Sequence, residues 1–357
     1  MFELTNEQRL CFGLEPVSAD WVRIEAKKGP YGQYRTYLYL DGDRVKKCIM
    51  CGDDLYSEYE LSETVSPDRG TILPKTPKGK PATLTAASVE KCKGTGMRLY
   101  YSDGNIHLFN EITQCSYYTN SYLERDISDI SGFSKWVDDW CRETTQADLE
   151  DIRCFGRMDR KRIRYREGDV FRFKIGRREY GYGRVLLNYD AMRRRGEPFW
   201  DILMGKPLVC SVYHIITVRD DVSIEELKEL KSLPSAISAD NALFYGEYQI
   251  IGNVPVTEQE DHPVMYGDSI LLGEKAVNYQ CGKVYRKLEG RSAIYAGFRN
   301  NGVAFDLNLT RDVLIKCIEA DSNDPYWKSY YAHFTERDLR NPIHADKLQK
   351  VRRQFGL

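Results

Sequence analysis

The sequence lacks a long apolar run. No hydrophobic stretch approaches the ~18–20 residues that a helix needs to cross a bilayer, so no membrane partner is expected. The first residues, Met1-Phe-Glu-Leu-Thr-Asn-Glu-Gln8, lack the basic start and apolar centre of a secretory signal, and the expected location is the cytoplasm. The chain contains no phosphate-binding P-loop, no G-x-S-x-G elbow and no dinucleotide-binding glycine fingerprint. Histidine is scarce. His107, His214, His262, His333 and His344 form no H-x-H or H-E-x-x-H pattern, so no metal site and no cofactor are expected. No excess of one charge is present either, since 52 Lys and Arg face 53 Asp and Glu, and no global field selects nucleic acid.

The ten cysteines are scattered through 357 residues, unlike a small disulfide scaffold. Cys48-x-x-Cys51 has no second ligand pair at zinc spacing, and Asp53-Asp54 beside it disfavours a thiolate. These are read as structural thiols. His214 lies in an apolar run and reads as a core or half-buried histidine. Paired carboxylates such as Asp138-Asp139 and Asp220-Asp221 point apart in a helix or a strand, so they give little support to acid–base chemistry.

What is present is ample apolar residue for a packed core (42%) and many short alternating runs. Asp41-Gly42-Asp43 and Ser102-Asp103-Gly104-Asn105 sit between strand-forming runs and predict hairpins. Phe133, Trp136, Val137 and Trp140 recur at i, i+3, i+4 and i+7 and predict a helix over 131–143. A second helix is expected at 147–155. Residues 66–80 read as an exposed loop, 207–218 as one buried strand, and Ser223-Ile-Glu-Glu226 as a helix-starting capping box. Phe244 to Val256 reads as a strand pair and Ser269 to Leu272 as an edge strand. Near the end, strands are expected at 283–288, 293–298 and 303–309, with a turn at 299–302. Helices are expected at 310–319, 324–334 and 345–355. The expected fold class is α+β and strand-rich, with antiparallel sheets or partly open barrels and a few peripheral helices. The expected domains are 1–156, β-rich and of unassigned role, then 157–275, then an α+β extension over 276–357.

The most informative stretch is Arg166 to Tyr189, which reads as a β-hairpin. Gly168 and Asp169 are turn formers. Tyr180-Gly181-Tyr182-Gly183-Arg184 puts Tyr180, Tyr182 and Arg184 on one face and leaves Gly181 and Gly183 for close packing. Residues 157–200 hold fourteen Lys and Arg against six Asp and Glu. That excess of eight positives sits within a chain of net charge −1, so the rest carries −9. Basic and aromatic residues interleave at Arg164-Tyr165-Arg166, Phe171-Arg172-Phe173-Lys174 and Tyr182-Gly183-Arg184. This suits a single-stranded nucleic acid and equally an amphipathic strand with one solvated face.

Gly168-Asp169-Val170-Phe171, followed by Tyr180-Gly-Tyr-Gly-Arg-Val-Leu186, resembles the immunity protein 26 family of bacterial polymorphic toxin systems. Val212-Tyr213-His214-Ile215 and the Gly246–Pro255 segment agree in character, so the resemblance spans roughly 164–268. It implies a protein that neutralises a cognate toxin by binding it, with Tyr180, Tyr182 and Arg184 as partner contacts and no catalytic residues. Two alternatives stay open: a metal-dependent phosphotriesterase-like hydrolase, which some descriptions of the family suggest, and a nucleic-acid-binding protein or nuclease using the basic middle segment. Whether the protein is an enzyme is left open, with the non-enzymatic reading preferred.

Overall fold

The computed structural model describes residues 2–27, 34–120, 127–200, 205–218, 220–269, 271–298 and 336–357. The chain is α+β and strand-rich, its sheets are antiparallel, and none closes into a barrel. It divides into two compact units, residues 1–161 and 162–357, and each is described by itself. Among the described residues, no helix is long and apolar enough to cross a membrane.

The first unit opens with α1 (Asn6–Cys11), started by a Thr5–Gln8 capping box. Strands β1 (Val22–Glu25), β2 (Arg35–Asp41), β3 (Arg44–Cys51) and β4 (Leu55–Thr64) follow. A short ribbon, β5 (Thr71–Ile72) with β6 (Ala82–Thr83), leads to α2 (Ala86–Val89). Then come β7 (Met97–Ser102), β8 (Asn105–Asn110), β9 (Ser116–Thr119), α3 (Ile130–Glu143) and α4 (Gln146–Gly156). The seven longer strands form one sheet in the order β1-β2-β3-β4-β7-β8-β9.

Both faces of that sheet are covered. On one, Phe133, Val137 and Trp140 of α3 pack with Phe12, Ile49, Tyr56, Leu99, Tyr101 and Leu108. The Phe133 ring stacks on Tyr101 at 4.5 Å, and the Trp140 indole N–H donates to the Cys11 carbonyl. On the other face, Val65, Ile72, Leu84 and Val89 cover Leu38, Val45, Cys48, Tyr59 and Leu61. The central strand β4 is therefore buried on both sides, although its sequence L-Y-S-E-Y-E-L-S-E-T carries three glutamates. Charge compensation from the neighbouring strand and from α1 makes this possible: Lys47 Nζ lies 2.8 Å from Glu58 Oε1 and 3.2 Å from Glu60 Oε1, and Arg9 Nε donates to Glu58 at 2.7 Å.

The second unit contains β10 (Asp169–Lys174), β11 (Tyr180–Asn188), α5 (Tyr189–Arg195), β12 (Pro207–Val212), α6 (Ile224–Lys228), β13 (Ala236–Ala239), α7 (Asn241–Phe244) and β14 (Gln249–Asn253). These strands pair in the order β13-β12-β11-β10-β14. A separate three-stranded meander follows, β15 (Val264–Asp268), β16 (Ala276–Cys281) and β17 (Val284–Glu289). Helix α8 (Ala345–Gln354) covers it, with Val351 and Phe355 against Val264, Tyr266, Val277 and Tyr279. Arg340 clamps the segment before α8: its guanidinium donates to the Ser235 carbonyl at 2.9 Å and to Asp338 at 2.7 Å, and it pairs with Asp261.

Several sequence expectations change here. The run 207–218 is not one strand. The regular strand ends at Val212: the Tyr213 N–H still donates to the Tyr182 carbonyl, the Ile215 N–H then turns back to the Tyr213 carbonyl, and the chain meets β11 again only at Thr217, which pairs with Tyr180. Residues 244–256 give one strand, β14, preceded by α7, rather than a strand pair. Leu271 and Leu272 lie in a turn, where Gly273 takes φ +82 and the Ser269 N–H closes on the Ala276 carbonyl. The strand there is β15. No strand forms over 293–298. The expected turn at 299–302, strand at 303–309 and helices at 310–319 and 324–334 lie outside the described residues.

Candidate partner-binding site

The hairpin β10–β11 is built from its first turn upward. Gly168 takes φ +86, and a Cβ there would lie 2.6 Å from the Val254 carbonyl oxygen, so only glycine fits. Asp169 locks the turn. One carboxylate oxygen accepts the Arg166 N–H at 2.8 Å, and the other accepts the Asn253 side-chain amide at 2.8 Å. This ties β14 to the start of the hairpin.

The two strand glycines do something different. Gly183 sits opposite Phe171 and Gly181 opposite Phe173. A Cβ would fall 2.5 Å from the Phe171 ring in the first case and 2.4 Å from the Phe173 ring in the second. Each ring thus lies across the bare backbone of its glycine partner, and both rings pack on Tyr248. Gly183 is tighter still, because the Ser211 carbonyl oxygen stands 2.7 Å from the same point. A phenyl ring can turn aside but a ladder carbonyl cannot. Gly183→Ala is therefore expected to cost about 1–3 kcal/mol and Gly181→Ala distinctly less, measured as the difference between their urea-denaturation free energies.

Tyr180, Tyr182 and Arg184 share the opposite face and differ in accessibility. Tyr182 is fully buried under a roof of Tyr213, Val222 and Leu227, with Val170 beside it. Burial raises its phenol pKa, and the Val222 N–H donates to its oxygen. The roof residues come from just after β12 (Tyr213) and from the start and middle of the α6 region (Val222, Leu227). Tyr180 is half-buried. Its backbone pairs with Thr217 in both directions, and its ring lies 5.4 Å from the Arg172 guanidinium and 5.7 Å from the Lys174 ammonium. Arg184 is about one-eighth exposed, forms an ion pair with Glu260 and abuts Tyr213. Arg172 in turn pairs with Asp220 at 2.9 Å and donates to Gln249 at 2.9 Å. The face thus presents the Tyr180 ring among cations, with carboxylates of Asp220 and Glu260 holding the arginines in place.

Other sequence candidates fall elsewhere. Cys48 and Cys51 are buried in the first unit, and desolvation pushes the Cys48 thiol up to about 12, which makes it a poor nucleophile. Among the described residues, no three His, Cys, Asp or Glu side chains are grouped to hold a metal ion; His333 lies outside them. His107 bonds to the Ser116 hydroxyl at 2.8 Å and stacks on Phe109, and desolvation lowers its pKa from 6.5. A base with a depressed folded pKa stabilises the fold above its unfolded value, and that contribution is lost as pH falls from 6.5 through the folded pKa. His107→Gln is therefore expected to flatten the fall of the urea midpoint below pH 6.5. An unchanged slope would remove His107 as its source.

Residues 166–276 match the family model described as Immunity protein 26. The matched segment starts at the first turn of the hairpin, takes in the five-stranded sheet and its roof, and ends at the first residue of β16. Neither a curated protein nor a solved structure matches the chain.

Proposed function

We propose, from the match of residues 166–276 to the Immunity protein 26 family, that this protein is a bacterial immunity protein that neutralises a cognate toxin by direct binding. The family match is the observation that carries the reading, and the hairpin geometry is consistent with a rigid recognition scaffold. Tyr180 and Arg184 contact the toxin at the accessible part of the hairpin face, and Tyr182 supports them from beneath. Tyrosine and arginine suit that role because each supplies a large contact area together with a polar group, and both dominate measured binding hot spots. Tyr180 is held between two cations by a folded strand, so little side-chain freedom is lost on binding.

The test is co-expression. A toxin encoded beside this gene arrests growth when expressed alone, and growth resumes when this protein is made with it. Continued arrest in the presence of folded protein contradicts the reading. Within it, Tyr180→Ala is expected to weaken toxin binding by about 2 kcal/mol, roughly 30-fold, with the unfolding midpoint nearly unchanged. Titration calorimetry checks this, and an unchanged dissociation constant would move the interface elsewhere.

A further inference from the structure

The first unit contains a cavity of about 400 Å³ that the toxin-binding reading does not use. Its apolar wall is formed by Leu10, Leu14, Met97 and Leu149. Glu60 lies at its floor, 7% exposed, and Arg153 and Arg157 stand at its rim on the last turn of α4 and just past it. The volume falls within the range of small-molecule sites, and the lining combines an apolar body with a few polar groups at its ends.

The charges at the two ends are not compensated equally. Glu58 receives both Lys47 at 2.8 Å and Arg9 at 2.7 Å. Glu60 only shares Lys47, at 3.2 Å, and accepts the Glu15 N–H through the same oxygen, Oε1. Its Oε2 accepts no hydrogen bond among the described residues. That oxygen faces Gly96, which takes φ +133; a Cβ there would come 3.1 Å from it. Burial raises the Glu60 carboxyl pKa despite Lys47, as expected of a buried carboxylate short of positive charge. At the rim the imbalance is reversed. Arg153 and Arg157 are both exposed, both line the cavity and lie four apart at the end of α4, and no ion pair of either is seen among the described residues.

We propose that this cavity is a binding site for an aliphatic zwitterion of the ω-amino acid class, with its ammonium on Glu60 Oε2, its methylene chain along Leu10, Leu14 and Leu149, and its carboxylate between Arg153 and Arg157. The ammonium supplies the charge that Glu60 lacks, and the carboxylate does the same for the arginines. The apolar wall sets the spacing between the two ends.

The experiment is titration calorimetry on the full chain with 6-aminohexanoate, hexanoate and hexylamine. The zwitterion is expected to bind at least tenfold more tightly than either one-ended probe. Glu60→Gln abolishes its advantage over hexanoate, and the double variant Arg153→Ala/Arg157→Ala abolishes its advantage over hexylamine. The rim variant lies on the exposed surface, so it decides the matter even where Glu60→Gln does not fold. Leu149→Trp, which fills the cavity, removes binding of all three. Equal affinities for the three probes, no binding of 6-aminohexanoate, or binding that survives Leu149→Trp overturns the proposal.

Discussion

Lys47→Ala is expected to destabilise the first unit by about 3–5 kcal/mol, the cost of removing one partner from a buried ion network. Lys47 is completely buried, and its ammonium is shared by Glu58 and Glu60 on the neighbouring central strand. Without it, Glu58 keeps Arg9 but Glu60 keeps only the Glu15 N–H. A buried carboxylate with so little compensation must take up a proton or draw in water, and either loosens the sheet. The expected loss is a large part of a domain's usual 5–15 kcal/mol. A second substitution separates charge from packing. Adding Glu60→Gln to Lys47→Ala removes the stranded carboxylate, so the double variant is expected to be more stable than the sum of the single effects by about 1–3 kcal/mol. Urea denaturation of the four proteins measures this coupling. A loss below about 1 kcal/mol for Lys47→Ala, or strict additivity, would show that Lys47 does not hold the network together.

Tyr182→Ala is expected to cost the second unit about 3–5 kcal/mol, as for other fully buried aromatic residues truncated to alanine. The ring fills the space between Val170 and the roof residues Tyr213, Val222 and Leu227, so its truncation leaves a cavity beneath the roof. Tyr182→Phe keeps the ring and removes only the acceptor of the Val222 N–H, so it is expected to cost about 1 kcal/mol. The large loss and the small one together identify Tyr182 as the post that holds the roof over the hairpin. Hydrogen exchange adds a local readout: amides of residues 222–230 gain exchange in Tyr182→Ala well before those of β10. A Tyr182→Ala protein of undiminished stability would contradict this packing and place the ring at the surface instead.

The fold was legible where local chemistry and tertiary burial agree. The hairpin β10–β11 shows in the sequence because glycine alternates with aromatic residues, and its glycines meet phenylalanine rings across the strands. Helix α3 shows in the spacing of Phe133, Val137 and Trp140, all of which enter the core. β4 did not show, since Glu58, Glu60 and Glu63 look like solvent-facing residues when read alone. Partners distant in sequence, Lys47, Arg9 and the Glu15 N–H, make the first two bearable inside. The same limit applies to the site. Period-2 alternation places Tyr180, Tyr182 and Arg184 on one face, but it carries no information about what covers that face. The roof over Tyr182 comes from Tyr213, Val222 and Leu227, the first of which lies in a run that reads as unbroken strand. Glu60 as a cavity floor depends on α1, α4 and Gly96 converging on it, which no spacing in the sequence announces.

Neutralisation by stoichiometric binding is tested by titrating purified toxin activity with this protein. Inhibition is expected to saturate at a fixed molar ratio, to be complete on mixing, and to accompany a complex that survives size-exclusion chromatography. Loss of toxin activity that proceeds with time at a small fraction of an equivalent, with no complex formed, would contradict it and would mean that the protein acts as an enzyme.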